Sequence, residues 1–176
     1  MKLNERFIRR LFDKPGKAIG FRIDEVRLPN GKSATRQYID HPGAVAVIPF
    51  IAPGKVLMVR QFRYPVNCVT LEIPAGKLDK NEQPLACVKR ELEEETGMKA
   101  GRIHKLISFW PTATFANEII HIYVADKLKP GTLNPDEDEF LACETWPLKK
   151  LYQEIDAGRV QEAKTLIALL AYRSRT

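Results

Sequence analysis

Residues 76–98 decide the fold, and they read G-K-L-D-K-N-E-Q-P-L-A-C-V-K-R-E-L-E-E-E-T-G-M. The pattern over 81–95 is helical, because Asn81 can cap a helix and Pro84 is tolerated in a first turn. Gly97 then stops the helix, since glycine readily adopts the left-handed conformation that follows a last turn. The stretch therefore predicts one helix with a defined beginning and end.

The apolar and acidic residues of this helix separate onto different parts of its surface. Leu85, Val88 and Leu92 share one stripe, which predicts that all three face the core. Glu91 and Glu95 lie one turn apart on the flank of that stripe. Because like charges at this spacing repel each other, the pair requires a counter-charge.

A third carboxylate, that of Glu94, lies beside Glu91, and Arg90 can pair with it at i+4. One arginine neutralises only part of this charge. Oxygen donors at this density suit Mg²⁺ or Mn²⁺, which keep several waters and complete their shell with substrate phosphates. A solvated charged face is the commoner fate of a glutamate-rich helix, so only the residue spacing separates the two interpretations.

The rest of the chain predicts a mixed α/β domain preceded by a small N-terminal β-hairpin region. Pro29, Asn30 and Gly31 form a turn signal between the first two strands. We divide the chain into an N-terminal β region at 1–42 and a main domain at 43–176. Strands are predicted at 18–28, 33–40, 43–51, 55–62, 69–74, 102–110 and 118–125, and further helices at 147–157 and 160–173.

Composition and charge exclude several classes of protein. The 176 residues are 44% hydrophobic and 28% charged, which fits one soluble domain. The net charge of +6 is uneven: residues 1–71 hold 13 basic and 5 acidic side chains, and residues 72–176 hold 15 and 17. Without an aromatic and basic recognition string, the basic half does not predict a nucleic-acid partner.

Cysteines and apolar runs set the expected compartment. Cys68, Cys87 and Cys143 are odd in number and form no C-x-x-C pair, so neither a disulfide framework nor a zinc finger is predicted. No apolar run approaches 18 residues, and the first twelve residues lack a signal-peptide core. We expect a cytoplasmic protein with no membrane partner.

Spacing within residues 76–98 identifies a family. The stretch follows the pattern G-x5-E-x7-R-E-L-x-E-E-x-G-M at every specified position. It resembles the Nudix box, the signature of the Nudix hydrolases. The resemblance implies an α/β/α sandwich with a mixed sheet, and attack of water on the phosphorus of a nucleoside diphosphate linked to another moiety.

The resemblance also assigns the metal ligands. Glu91 and Glu95 would be the main helix-borne ligands, Glu94 would assist, and the carbonyl of Ala75 would contribute from the turn before the box. Metal ions suit this chemistry, because they neutralise phosphate oxygens and lower the pKa of the attacking water.

Four further box residues receive supporting roles from the resemblance. Arg90 would orient the glutamates, and Glu82 would brace the loop against the helix. Gly76 and Gly97 would serve backbone geometry, since each lies where a side chain would obstruct a tight turn.

A second resemblance, outside the box, is to the ADP-ribose pyrophosphatase branch. By that resemblance Arg63 contacts the phosphates of the substrate, Glu139 is an additional metal ligand and Glu137 a catalytic base. The strings that carry it are V-R-Q-F-R-Y-P at 59–65, E-I-P-A-G-K-L-D at 72–79, D-E-D-E-F at 136–140 and A-K-T at 163–165.

Other interpretations of these residues stay open. Arg60 and Arg63 also fit a surface strand, although we assign both to substrate binding. Glu72, which we also assign to the substrate-binding residues, either supports the metal shell or is an edge residue. The acidic cluster at 136–139 either leans over the metal site or forms an exposed turn.

The segment at 110–118 departs from the branch pattern. Thr114 stands where glycine is usual, and threonine is costly at positive φ, so the backbone of this substrate loop must differ. Trp110 or Phe115 can stack on a base or ribose. We assign Phe115 and Glu118 to substrate binding.

Together these observations predict a Mg²⁺-dependent hydrolase, with Mn²⁺ as an alternative, that converts ADP-ribose or a similar nucleoside diphosphate sugar to a nucleoside monophosphate and a sugar phosphate. GDP-mannose, other nucleotide sugars, FAD and NADH are alternative substrates. A non-catalytic Nudix module that senses nucleotides is the alternative from another class, although such modules tend to lose box carboxylates. By resemblance, the N-terminal hairpin is expected to exchange between the subunits of a homodimer.

Overall fold

The computed structural model describes residues 3–134, 137 and 139–175. Its elements, in chain order, are β1 (Arg6–Lys14), β2 (Gly20–Arg27), β3 (Ser33–Asp40), β4 (Ala44–Ala52), β5 (Lys55–Arg63), β6 (Cys68–Glu72), β7 (Ala75–Lys77), α1 (Pro84–Thr96), β8 (Met98–Lys99), β9 (Arg102–Phe109), β10 (Ile120–Asp126), β11 (Lys129–Pro130), β12 (Leu141–Pro147), α2 (Leu148–Asp156) and α3 (Ala163–Arg173). These form two compact units. The first unit holds residues 1–43 and 110–119, and the second holds 44–109 and 120–176.

The first unit is built on an antiparallel sheet in the order β1-β2-β3. The predicted hairpin is confirmed as β2 and β3, and Gly31 takes a positive φ of 83° in the turn between them. The sequence did not predict β1, which extends the hairpin to three strands and is exposed along its whole length. The amide of Asn117 ties the 110–119 segment to the end of β3 by a 2.7 Å hydrogen bond to Asp40.

The second unit is built on a mixed sheet, as predicted. Its main strand order is β12-β5-β4-β10-β9, with β6 paired to β5 and β7 paired to β4. β4 and β10 run parallel, and the other pairs run antiparallel. The sequence missed β12, a strand that is exposed at most positions and ends in a proline.

Helices cover both faces of this sheet, which confirms the α/β/α sandwich. β4 shows the alternation: Ala46 and Ile48 join the core that packs against α2 and α3, and Val45 and Val47 join the core that packs against α1. Because both faces of β4 are buried, its sequence is apolar throughout.

Helix α1 corrects two predictions. It begins at Pro84 rather than at Asn81, because Asn81 takes a left-handed φ of 66° in the turn before the helix. Leu85 is 45% exposed, because it lies at the edge of the buried arc, and Cys87 packs into the core instead. The end of the helix is confirmed, with Gly97 at a φ of 67°.

The buried residues of helix α3 include polar side chains as well as apolar ones. Leu170 is exposed, whereas Lys164 and Thr165 in the first turn are buried. The apolar pattern of the helix did not predict a buried lysine, so its contacts are described with the site. No helix formed by the described residues is long and apolar enough to cross a membrane.

Candidate active site

The two carboxylates predicted to bind metal are buried on the sheet side of α1. Glu91 is 9% exposed and Glu95 is 4% exposed, so both lie deeper than the flanking position that the sequence predicts. Burial raises the pKa of Glu91 to about 7 and that of Glu95 to about 8, and the negative charges of neighbouring glutamates add to both shifts. Buried carboxylates without enough counter-charge are sites where a cation is strongly favoured.

A close approach of β7 to α1 explains the glycine at the start of the box. The carboxyl group of Glu91 occupies the space that a Cβ on Gly76 would fill. Gly76 has β-strand pairing with Val45 of β4, and its φ is not in the left-handed region. The glycine is therefore required for space and not for backbone conformation.

The predicted backbone ligand lies next to the second glutamate. The N–H of Ala75 donates a 3.1 Å hydrogen bond to Oε2 of Glu95. This bond orients one oxygen of Glu95 toward the strand that carries the Ala75 carbonyl. It also lowers the pKa of Glu95, but burial outweighs it.

Arg90 holds the rim of the carboxylate cluster together. Its guanidinium donates to both oxygens of Glu82, at 3.0 and 2.9 Å, and to Glu94 at 2.8 Å, and it lies 2.9 Å from an oxygen of Glu91. Glu82 in turn accepts a 3.0 Å hydrogen bond from the N–H of Asp79 in the preceding loop. The Arg90 hydrogen bonds lower the pKa of Glu82 to about 2, so this carboxylate stays charged.

The acidic segment after β11 starts close to α1. The N–H of Asn134 donates to the carbonyl of Glu94 at 3.0 Å. Glu139 is half-buried, and its negative charge contributes to the raised pKa of both Glu91 and Glu95.

Three further acidic residues, at 136–138, belong to this segment. Glu137 is exposed in a turn. Asp136 and Asp138, which belong to the same predicted cluster, lie outside the described residues.

Arg63 and Glu72 form a paired group within the second unit. Arg63 donates from Nε and Nη2 to the two oxygens of Glu72, both at 2.7 Å. Glu72 is 1% exposed, so it is a core residue and not an edge residue. Burial alone would raise the pKa of Glu72, but the hydrogen bonds from Arg63 and the charge of Lys164 lower it to about 2.

The sequence did not assign Lys164 or Thr165 to the site. Lys164 contacts Glu72, and the hydroxyl of Thr165 accepts a 3.0 Å hydrogen bond from the N–H of Ile73. The available signals were the A-K-T string at 163–165 and a lysine in the first turn of a mostly apolar helix. These signals do not reveal its partner, because 92 residues separate Lys164 from Glu72.

Arg60 forms an ion pair with a glutamate of the neighbouring strand β12. Its Nε donates to Glu144 at 2.5 Å, and its guanidinium lies 6.0 Å from the ring centroid of Trp146. Glu144 also accepts a 2.9 Å hydrogen bond from the indole N–H of Trp146. Arg60 therefore has a carboxylate partner separate from that of Arg63.

The predicted substrate residues Phe115 and Glu118 belong to the first unit. Phe115 is 52% exposed, and its carbonyl accepts a 2.8 Å hydrogen bond from the N–H of Ile39. Glu118 lies 3.7 Å from Nε2 of His41. Thr114 is not at a positive φ, as expected for a β-branched residue.

The chemistry of the donor set fits a divalent cation. The cluster offers carboxylate oxygens and a backbone carbonyl, which are the ligands that Mg²⁺ and Mn²⁺ prefer. Within residues 3–134, 137 and 139–175, no three His, Cys, Asp or Glu side chains already converge as ligands. In this arrangement Glu91 lies against Arg90, and Glu95 lies against the N–H of Ala75.

Comparison with known proteins identifies the family of the chain. The NUDIX domain pattern matches residues 40–169. An ADP-ribose pyrophosphatase of Bacillus subtilis (strain 168) is 41% identical over 156 residues, which cover 88% of this chain and 84% of that protein. A protein named methanol dehydrogenase activator, from Bacillus methanolicus, is 44% identical with the same two coverages.

A solved structure described as an ADP compounds hydrolase shares the fold. It superposes with a TM-score of 0.78 at 22% identity, and the match covers 98% of this chain and 91% of that one. The family pattern spans most of the chain, and the box residues lie where a buried carboxylate cluster forms. The chain belongs to the Nudix hydrolase family and resembles its ADP-ribose pyrophosphatases.

Proposed function

We propose that the protein hydrolyses the diphosphate bond of ADP-ribose, or of a similar nucleoside diphosphate sugar, to a nucleoside monophosphate and a sugar phosphate. The observation that carries the proposal is the burial of Glu91 and Glu95, one turn apart, against strand β7, in which Gly76 leaves space for Glu91. Such a pair is unfavourable by itself and is suited to a divalent cation. The similarity to an ADP-ribose pyrophosphatase supports this choice of substrate.

The metal would be held by Glu91, Glu95 and the Ala75 carbonyl, with Glu94 and Glu139 adding carboxylate oxygens. Mg²⁺ is the proposed ion and Mn²⁺ the alternative, since both favour oxygen ligands. When bound, the ion supplies charge neutralisation for the phosphate oxygens and acidifies a water molecule.

The remaining steps fall to side chains of the chain itself. A carboxylate oxygen of Glu139 or of Glu137 accepts the proton of the attacking water. Arg63 stabilises negative charge on the diphosphate through the part of its guanidinium that does not bind Glu72. Arg90 keeps Glu91 and Glu94 in place through its hydrogen bonds and ion pairs.

Substrate choice is tested by a panel. ADP-ribose, GDP-mannose, UDP-glucose, NADH, FAD and dinucleoside polyphosphates are compared by kcat/KM with Mg²⁺ present. We expect the highest value for ADP-ribose. A higher value for GDP-mannose or a dinucleotide moves the assignment to that substrate, and binding without turnover of any of them supports a nucleotide-sensing module.

We also propose a homodimer formed through the first unit. β1 is exposed along its length, and it carries Phe7 at 62%, Leu11 at 46% and Phe12 at 46% exposure. Exposed large apolar side chains along an outer strand are typical of an interaction surface. Sedimentation is expected to give a dimer at micromolar concentration and a monomer for the variant F7S/F12S; a wild-type monomer contradicts the proposal.

The proposed compartment is the cytoplasm. Cys68, Cys87 and Cys143 are free thiols, which suits a reducing environment. Cell fractionation with an antibody to the protein tests this assignment, and recovery in an exported fraction contradicts it.

A further inference from the structure

Lys164 is a charged residue in a place where charge is rarely found. It lies in the first turn of α3 and is 8% exposed. Its ammonium contacts Oε2 of Glu72 and lies 3.2 Å from Oε1 of Glu162. Lysines are almost never buried unless they are paired, so this position serves a specific interaction.

Glu72 divides its carboxylate between two cations. Oε1 accepts hydrogen bonds from Nε of Arg63 at 2.7 Å and from the hydroxyl of Thr70 at 2.6 Å. Oε2 accepts from Nη2 of Arg63 at 2.7 Å and from Lys164. The buried carboxylate is thus fully hydrogen-bonded and stays ionised.

Among the described residues, Arg63 is held by hydrogen bonds along one edge of its guanidinium. Nε and Nη2 bind Glu72, and Nη1 donates no hydrogen bond to the described residues. The side chain of Arg63 is 41% exposed, whereas that of Glu72 is 1% exposed. Glu72 therefore fixes the edge of the guanidinium formed by Nε and Nη2, and the edge that carries Nη1 is open. This arrangement suits bidentate capture of a phosphate.

The charges of this group are balanced by Lys164. Arg63 and Lys164 are positive, and Glu72 and Glu162 are negative. Glu162 also caps α3 by accepting from the backbone N–H groups of residues 164 and 165. Without Lys164 the group carries a net negative charge. Arg63 and Lys164 both lie close enough to Glu95 to interact electrostatically with its carboxylate.

The same turn of α3 also anchors the strand that leads into the box. The hydroxyl of Thr165 accepts a hydrogen bond from the N–H of Ile73 at 3.0 Å. Two residues later, the N–H of Ala75 binds Glu95. Helix α3 is thus connected to the carboxylate cluster by a short, hydrogen-bonded piece of backbone.

We propose that Lys164 is a positioning residue for substrate binding, which balances the charge of Glu72 so that Arg63 keeps an available positive charge for the diphosphate of the substrate. This inference rests on the proposed function. A single uncompensated charge about 10 Å from one negative charge of the diphosphate, at an effective dielectric constant near 20, changes affinity by about tenfold. The effect falls on KM more than on kcat, because the charge acts on the bound substrate before the reaction.

The test compares K164M with K150M. Lys150 is a matched control, since it is a half-exposed lysine that pairs with Glu154 at 3.0 Å on α2. With ADP-ribose and Mg²⁺, K164M is expected to raise KM about tenfold, with a smaller change in kcat, and K150M is expected to match the wild type. An unchanged KM for K164M in a folded chain overturns the proposal.

A double variant separates charge balance from simple structural damage. E72Q/K164M removes one negative and one positive charge, and the side-chain carbonyl that the substitution leaves at position 72 can still accept a hydrogen bond from Arg63. The KM of the double variant is expected to return to within about threefold of the wild type, whereas independent structural losses would add. A double variant as impaired as K164M, or more impaired, contradicts the proposal, and this arm decides the question if K164M alone does not fold.

Binding of inorganic pyrophosphate keeps the two proposals distinguishable. Its Kd is measured by calorimetry in metal-free buffer for the wild type, R63Q, K164M and K150M. R63Q and K164M are expected to weaken binding about tenfold. If the wild type does not hydrolyse ADP-ribose but this pattern holds, the substrate assignment fails and the role of Lys164 stands; if K164M binds pyrophosphate like the wild type, the role of Lys164 fails.

Discussion

The carboxyl group of Glu91 fills the space in which a Cβ on Gly76 would lie. Gly76 lies on β7, a short strand paired with β4, and Glu91 lies on α1, so this contact joins the helix to the strand. The φ of Gly76 is outside the left-handed region, so an alanine meets no backbone strain. The three atoms nearest to such a Cβ all belong to the carboxyl group of Glu91, the far end of a flexible side chain.

Gly76→Ala is therefore expected to separate stability from function. The Glu91 side chain can rotate away, so the unfolding temperature changes by only a few degrees, a free-energy change on the order of 1 kcal/mol. Divalent metal affinity and kcat are expected to fall at least about 100-fold, because one proposed metal ligand leaves its position. Calorimetry and steady-state kinetics measure the two effects.

Gly20→Ala is the matched control, since a Cβ there meets only ordinary contacts and lies in the first unit. Equal losses of stability and activity in Gly76→Ala, or full activity in that variant, contradict the role given to the Gly76–Glu91 contact.

The pKa values of the buried pair predict an unusual pH dependence for the metal-free protein. The ordinary pKa is 4.5, and burial raises that of Glu91 to about 7 and that of Glu95 to about 8. The folded state therefore binds more protons than the unfolded state between these values, so the free energy of unfolding falls as the pH rises. We expect a loss on the order of a few kcal/mol from pH 5 to about pH 9.

Chemical denaturation in EDTA measures this slope, and E91Q/E95Q supplies the comparison because it has neither titrating group. The slope is expected to flatten in that variant. Mg²⁺ affinity of the wild type is expected to rise over the same pH range, since binding displaces the protons. A metal-free wild type that gains stability with pH across this window contradicts the assignment of the raised pKa values.

Arg90 is expected to matter for activity more than for folding. Arg90→Met removes the partner of Glu82, Glu94 and Glu91 at once. Loss of such a supporting contact typically lowers metal affinity or turnover 10- to 100-fold, and we expect a loss of about that size. Arg102→Met is the control, because Arg102 is an exposed arginine paired with Asp126 at 2.6 Å. Comparable kinetics in the two variants would show that Arg90 does not support the site.

The acidic segment is tested by substituting its two described glutamates singly. Glu139→Gln is expected to lower kcat and to weaken metal binding, because the charge of Glu139 reaches both buried carboxylates. If Glu137 is the base instead, Glu137→Gln lowers kcat and leaves metal affinity unchanged. Wild-type values for both variants show that the segment is an ordinary exposed turn.

Much of the fold follows from local sequence patterns. The strands around Gly31, the central apolar strands and the helix ending at Gly97 all occur where turn signals and periodicity predict them. The errors fall at exposed or irregular places: β1 and β12 are mostly exposed, so they lack a strong apolar alternation. Asn81 resembles a helix cap but forms a left-handed turn residue, which sequence pattern does not distinguish.

The contacts of the candidate site also fall into those that local sequence spacing predicts and those that it does not. Contacts within one helix, such as Arg90 with Glu94, follow from i,i+4 spacing and are confirmed at 2.8 Å. Contacts that depend on tertiary packing do not follow from local spacing, and the contact between Lys164 and Glu72 is the main example. The depth of Glu95 is also a property of the packed sheet, because spacing places a residue on a helix face but does not set its burial.

The buried glutamates of α1, we propose, hold a divalent cation that hydrolysis requires. The rate of AMP release from ADP-ribose is therefore measured for the wild type and for Glu95→Gln across a Mg²⁺ titration, with folding checked by circular dichroism. We expect Mg²⁺-dependent release by the wild type and a loss of at least about 1,000-fold in folded Glu95→Gln. A Glu95→Gln variant with the wild-type rate and the wild-type Mg²⁺ dependence would contradict this proposal.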